Sequence, residues 1–320
     1  MKLGVLTVLF QDISLNSVLD RLVKIGVQAV ELGTGAYPGN SHCPPTELLK
    51  SSKNVQAFKK NIEERGLIIS ALSCHGNPLS PNAAFAVESN RVFRDTVRLA
   101  SEMGVGVINL FSGCPGDSES AQFPNWVTCA WPPEYLEVLE WQWKEKVIPY
   151  WLEAGHFAEK AGVKLAFEMH PGFVVYNPET LLRLREAVGP VIGANFDPSH
   201  LYWQGIDPVA AIMNLGDSIY HFHAKDTYID PHNTAVNGVL DTKTYDKLTQ
   251  RSWTFCTVGY GHSQLDWRTM INALRKVGYD YVVSIEHEDA LASPEEGLNR
   301  AVCFLKDVLF KEKPSAMWWA

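Results

Sequence analysis

The chain has 320 residues, 46% hydrophobic and 20% charged, with a formal net charge of −8 and a pI near 5.7. This is an ordinary globular composition, long enough for one large α/β domain, and it excludes the collagen-like, low-complexity and disordered classes. The acidic balance without a basic stripe argues against nucleic acid or an anionic membrane as a partner. No apolar run approaches the roughly 18 residues that span a bilayer.

Short β-branched runs alternate with longer amphipathic stretches. The apolar start of the chain is interrupted by Gln11-Asp12 without a small-residue cleavage site, so Leu3 to Val8 is predicted as a strand rather than a signal peptide. Further strands are predicted at Ala29 to Leu32, Ile68 to Ser73, Val105 to Phe111, Lys164 to Glu168, Val191 to Phe196, Ile219 to His223 and Tyr281 to Glu286. Helices lie between them, and a last one runs from about Pro294 to Phe310. Gly26, Gly66, Gly104, Gly162 and Gly278 each follow a helical stretch and precede an apolar one, the left-handed stop of a short αβ loop. One βα repeat closed into a single-domain (β/α)8 TIM barrel over residues 1–320, with a C-terminal extension at about 311–320, is therefore expected. An open doubly wound sheet is the rival, but Gly33 and Gly35 make no GxGxxG turn for a dinucleotide.

Three βα loops are long, Gly33 to Lys53, Ser112 to about Tyr135 and Thr227 to about Asp266, whereas the αβ loops are short. That asymmetry places function at the C-terminal ends of the strands. The second loop carries Trp126 and Trp131-Pro132-Pro133 and leads to Trp141-Gln142-Trp143 on a helix. Such aromatics either stack on a sugar or pack an insertion or subunit interface. Tyr150-Trp151 and Trp318-Trp319 either form an apolar surface buried in a homo-oligomer or pack on the barrel. Six cysteines without CxxC spacing fit reduced thiols and a cytoplasmic location.

Four strand ends concentrate acids and histidines: Phe167-Glu168-Met169-His170, Phe196-Asp197-Pro198-Ser199-His200, His221-Phe222-His223-Ala224-Lys225-Asp226 and Ile285-Glu286-His287-Glu288-Asp289. Taken singly, such residues are caps, ion-pair partners or packed imidazoles. Glu168, Asp197, His223 and Glu286 are spaced by 29, 26 and 63 residues, each one βα unit, the last enlarged by the long loop. Together they predict one divalent cation, Mn²⁺ foremost, with Co²⁺, Mg²⁺ or Zn²⁺ as alternatives.

With Gly259-Tyr260-Gly261 before Leu265-Asp266-Trp267, these segments resemble the xylose isomerase-like barrel superfamily of sugar phosphate isomerases and epimerases, over nearly the whole chain. The resemblance implies that Glu168, Asp197, His223 and Glu286 bind one ion, that Glu168 and Glu286 move the substrate proton, and that His200 touches substrate oxygens. Such epimerases usually carry an arginine six residues after the metal histidine. Here that position is Ile229, leaving Lys225, Asp226, Arg251 or His262 to bind substrate. No Gly-rich phosphate cradle or arginine cluster appears.

The chemistry expected is removal of a proton beside a carbonyl of a ketose, keto-sugar or inosose, through an enediolate. His170, two residues after Glu168, is either a base outside the ligand set or a packing residue turned aside by Pro171. His75 is either a substrate contact or a loop donor. A histidine base also suits elimination from 3-oxo-glycosides, as in the large subunits of C-glycoside deglycosidases, which pair with a small β-rich subunit. A non-catalytic sugar-binding subunit is a third reading, while endonuclease IV-type repair is disfavoured by the acidic balance. Asp226, Glu288 and Asp289 could serve a second metal, although Asp226 more simply orients a neighbour and Glu288 and Asp289 more simply cap the last helix.

Overall fold

Strands form wherever the short apolar runs lie, and two more form where none was expected. A computed structural model describes residues 1–319. Its strands are β1 (Lys2–Leu6), β2 (Ala29–Gly33), β3 (Ile68–Ser73), β4 (Val107–Leu110), β5 (Lys164–Glu168), β6 (Ile192–Phe196), β7 (Ile219–Ala224), β8 (Asp226–Ile229), β9 (Trp253–Cys256) and β10 (Val282–Ile285). Eight of them close into a barrel, β1 to β7 in order and then β10, which pairs back onto β1. Every barrel pairing is parallel. The remaining two, β8 and β9, make an antiparallel hairpin inside the loop from 227 to 266.

Helices cover the outside of the barrel. The helix Ala83–Met103 shows why its sequence stops where it does: Asn82 caps it by accepting from Phe85 N, and Gly104 ends it at φ 68°. The other four glycines of that pattern, Gly26, Gly66, Gly162 and Gly278, also have positive φ. Trp151 is fully buried, its ring edge-on to Phe167 at 4.6 Å and its Nε1 donating to Ser112 O at 2.9 Å. Burial of that ring between helix and barrel fits the second reading of Tyr150-Trp151, packing on the barrel. Trp151→Ala should therefore cost roughly 3–5 kcal/mol, read as a lowered urea midpoint. Trp318 and Trp319, by contrast, are 87% and 68% exposed, in a tail without helix or strand.

The lumen is apolar at one level and polar above it. Ala71, Val107 and Ala166 form a small buried cluster. Two residues further along, on the same faces, come Asn109 and Glu168, because strand side chains alternate. Two register shifts sit at this level, between Val30 and Glu31 against β3 and between Ala194 and Asn195 against β7. Bulges re-aim side chains beside active sites, and these two turn Glu31 and Asn195 into the polar layer. Among the described residues, no helix is long and apolar enough to cross a membrane.

Candidate metal centre and substrate face

Glu168 ends β5, Asp197 follows β6, His223 lies in β7 and Glu286 follows β10, so four strand ends aim at one point. One ligand atom from each of the four lies within 4.8 Å of the others. His223 Nδ1 is 3.1 Å from Glu168 Oε2 and 3.1 Å from Glu286 Oε2. Among the described residues, buried His223 Nδ1 and Asp197 Oδ2 make no well-aligned hydrogen bond, although His223 Nδ1 faces the two glutamates and Asp197 Oδ2 faces Lys225 Nζ at 3.2 Å and His200 Nε2 at 3.5 Å. Such groups are expensive to bury unless something absent completes them. Three carboxylates and one imidazole form an oxygen-rich mixed set, which fits a divalent cation.

The electrostatics agree with that fit. Burial pushes the Asp197 carboxyl up to about 7, with Glu168 and Glu286 adding repulsion against the pull of Lys225. Burial would also raise Glu168, but the imidazoles of His200, His223 and His75 against its oxygens hold it well below the carboxylate range. Burial opposes protonation of His223, and the charges of Glu31 and Glu286 overcome it. A proton on His223 and the Lys225 ammonium balance these acids. Lys225 Nζ lies 2.8 Å from Glu286 Oε2 and 3.2 Å from both Asp197 Oδ2 and Glu288 Oε2.

Glu31 escaped the sequence reading. It is fully buried in β2 and accepts from His223 Nε2 at 2.9 and 3.0 Å, Ser73 Oγ at 2.5 Å, Asn109 Nδ2 at 2.8 Å and Ser284 Oγ at 2.7 Å. Burial is outweighed by the charge of His223 and these donors, so Glu31 stays ionised. A carboxylate on Nε2 fixes the ring and leaves Nδ1 facing the other three acids. His221 sits below, between Asn195 Oδ1 at 3.1 Å and Ser70 Oγ at 3.2 Å, while Asn195 Nδ2 donates to Glu168 Oε2. The available signal was one acid inside an otherwise apolar strand, Ala29-Val30-Glu31-Leu32. Glu31→Gln should weaken Mn²⁺ binding about 10–100-fold by calorimetry while circular dichroism stays unchanged.

The other candidates divide into those at the cluster and those away from it. His75 Nε2 and His200 Nε2 each lie 3.1 Å from a Glu168 oxygen. His170 leaves the strand path, as Pro171 allows: its Nδ1 donates to Pro171 O at 2.6 Å, and its ring lies 4.1 Å from His200. Asp226 is fully buried and accepts from the backbone N–H groups of Thr227, Gly259, Gly261 and His262, from His262 Nδ1 and from Trp267 Nε1. Both Asp226 and His262 are therefore engaged in holding the base of the hairpin, and His262 also stacks on Tyr202 at 3.4 Å. Arg251 donates to the carbonyls of Trp253 and Lys243 and packs against Tyr245 and Trp253. The last helix, Pro294–Val308, is capped by Ser293 rather than by Glu288 or Asp289. Asp289 instead accepts from Thr257 N and Oγ1.

Above the cluster are two cavities of about 520 and 500 Å³ that share His170, Tyr245 and Phe255. Trp126 lines the second, whereas Trp131 is 74% exposed and Trp143 is buried in the core.

Residues 19–308 match the family model described as xylose isomerase-like TIM barrel. The chain is 38% identical over 313 residues to the uncharacterized protein YfiH of Bacillus subtilis (strain 168), covering 97% of this chain and 99% of that one. It is 24% identical over 264 residues to an inosose dehydratase of Geobacillus thermodenitrificans (strain NG80-2), covering 81% and 82%. Among solved structures, the IOLI protein with a bound zinc atom superposes with a TM-score of 0.65 at 20% identity, over 96% of this chain and 98% of that one. The barrel, its ligand-bearing strand ends and these matches agree: the chain belongs to the xylose isomerase-like TIM barrel family.

Proposed function

We propose that the chain is a divalent-metal-dependent sugar isomerase or epimerase that takes a proton from the carbon beside a ketone of a ketose, keto-sugar or inosose. The observation that carries this reading is the convergence of Glu168, Asp197, His223 and Glu286, with two of their buried atoms making no well-aligned hydrogen bond. These four residues would hold the ion, with Mn²⁺ favoured. When bound there, a divalent cation supplies Lewis acidity that makes the hydrogen beside a ketone easier to remove.

The remaining work falls to side chains. Glu286, with its side chain 19% exposed, is the more accessible of the two glutamates; Lys225 and His223 outweigh burial and keep it ionised, the form a proton acceptor needs. Glu168 stands three strands away, beyond β6 and β7, and is steadied by His75 and His200. Two carboxylates on opposite sides of a bound sugar can remove a proton from one face and return one to the other, giving the epimer. Return to the adjacent carbon, with transfer of the hydroxyl proton, gives the isomer.

A second reading, elimination, rests on His170. Its Nδ1–H is given to Pro171 O, which leaves Nε2 free to accept a proton, and burial keeps the ring neutral. The similarity to an inosose dehydratase points the same way, since a base outside the ligand set can begin loss of water or of an aglycone. In that case a small β-rich partner subunit is expected; the first reading expects a homo-oligomer. The six unpaired thiols fit a cytoplasmic setting.

The deciding experiment incubates the Mn²⁺-loaded protein with free ketoses, inosose and 3-oxo-glycosides in D₂O and follows them by NMR. Deuterium beside the ketone with a new epimer or isomer supports the first reading, and a dehydrated unsaturated product or a released aglycone the second. No exchange with any member would overturn both. Metal affinity itself should fall as pH drops from 8 to 6. Asp197 holds a proton below about 7 and His223 is protonated, so the ion must displace protons that become harder to remove in acid. Dissociation constants measured at pH 6, 7 and 8 check this.

A further inference from the structure

Beside the metal cluster stands a second group of acids, and a side chain already fills it. Lys225 is the single residue between β7 and β8 and is 2% exposed. Its Nζ lies 2.8 Å from Glu286 Oε2, 3.2 Å from Glu288 Oε2 and 3.2 Å from Asp197 Oδ2, and the Phe255 ring centre closes a further side at 4.7 Å. An ammonium carries three N–H donors and no acceptor. Two of these donors go to Glu286 and Glu288, and Asp197 and the Phe255 ring surround the third. Lys225 therefore has no donor left for a sugar hydroxyl.

Three carboxylate oxygens around one point are also the donor set of a hard divalent cation, which takes oxygens at about 2.0–2.6 Å, so a contraction of roughly 1 Å would turn the ammonium cage into a metal cage. Two of the three acids, Asp197 and Glu286, belong to the first cluster as well. The Glu286 oxygen that meets Lys225, Oε2, is the same one that lies 3.1 Å from His223 Nδ1. Two-ion sites space their ions about 3.5–4 Å apart, close enough for one carboxylate to touch both. Glu288, with its side chain 52% exposed, belongs to the second group alone. Asp226 and Asp289, the other acids within reach of a second ion in the sequence, are engaged elsewhere, by the turn from Gly259 to His262 and by Thr257.

We infer that Lys225 is a positioning residue that stands in for a second divalent ion: its ammonium fills a cation position built from Asp197, Glu286 and Glu288 and so holds the centre to one metal ion per chain. This inference rests on the metal-dependent reading for the first ion. Its consequence is chemical. A second divalent ion would bring open positions for substrate oxygens, whereas an ammonium enclosed by three acids and a ring brings none. The carbonyl and hydroxyl oxygens of a hydroxy ketone must then share one ion, and Lys225 contributes fixed charge and the aim of Asp197 and Glu286.

The test counts ions by equilibrium dialysis of the metal-stripped protein against Mn²⁺ alone, with electron paramagnetic resonance on the same samples. The wild type should bind about one Mn²⁺ per chain even in large excess and show the signal of an isolated ion. Lys225→Ala removes the ammonium and opens its volume, so it should bind about two and show the broadened signal of a coupled pair. The second equivalent should also raise its melting temperature, as a ligand of the native state does. Lys225→Arg keeps the charge and should return the count to one. Adding Glu288→Gln to Lys225→Ala should do the same, because Glu288 serves the second position alone. A lysine that is only an ion-pair partner predicts the opposite, a weaker first ion and no room for another. Two ions on the wild type, or fewer than two on a folded Lys225→Ala, overturns the inference, and the wild-type count decides even where the variant does not fold. No Mn²⁺ on the wild type would instead overturn the metal-dependent reading.

Discussion

In Glu286→Gln, exchange of the substrate hydrogen beside the ketone with solvent deuterium is expected to fall by a factor of about 10³ or more. The amide keeps the shape of the carboxylate and can still face Lys225, whose Nζ lies 2.8 Å from Glu286 Oε2, but it cannot accept a proton at neutral pH. Because Glu286 also belongs to the proposed ligand set, metal content must be measured on the same sample. Exchange lost at normal Mn²⁺ occupancy assigns the proton transfer itself to this carboxylate, whereas exchange at the wild-type rate removes it from the mechanism. Glu168→Gln is the complementary variant. If one carboxylate serves each face, Glu286→Gln blocks exchange from one epimer and Glu168→Gln from the other.

Removal of the ion should have an effect as large. After chelation, turnover is expected to vanish, and Mn²⁺ or Co²⁺ should restore it. His223→Ala should not be rescued at stoichiometric metal. It loses a nitrogen donor and also leaves Glu31 buried without its main partner, so its affinity loss should exceed the roughly 10–100-fold expected of outer-shell partners. Activity that survives a chelator would exclude the metal mechanism altogether. Comparing His223→Ala with Glu31→Gln separates losing a ligand from losing what orients it.

The barrel was legible because parallel strands buried on both faces are short apolar runs, and because five glycines mark helix ends before them. Strand limits differ from expectation by a residue or two, as at β4, predicted from Val105 and observed from Val107. The hairpin was not legible. Its strands, Asp226-Thr227-Tyr228-Ile229 and Trp253-Thr254-Phe255-Cys256, are separated by 23 residues, so no tight-turn pairing signal joins them. The four acids and histidines that meet at strand ends stood out because each repeats one βα unit later. Glu31 did not, since it belongs to β2, far from that series in sequence, and reaches His223 only once the barrel closes. Asp226 fits the orienting role, though the partners it holds were not legible either. Its neighbours in sequence point to the site, but its carboxylate finds a richer set of N–H donors in the turn Gly259 to His262 than any sugar could offer.

The insert between β7 and the helix Gln264–Lys276 carries its own two-stranded sheet and is pinned at its base by one carboxylate, that of Asp226. The proposed ligands on the strand ends and the insert above them are thus separate parts of the chain. A graft of residues 230–252 from another member of the family could redirect which molecules this protein accepts without disturbing a strand-borne ligand. The same modularity explains how one barrel lineage can diversify its diet while its core chemistry stands still.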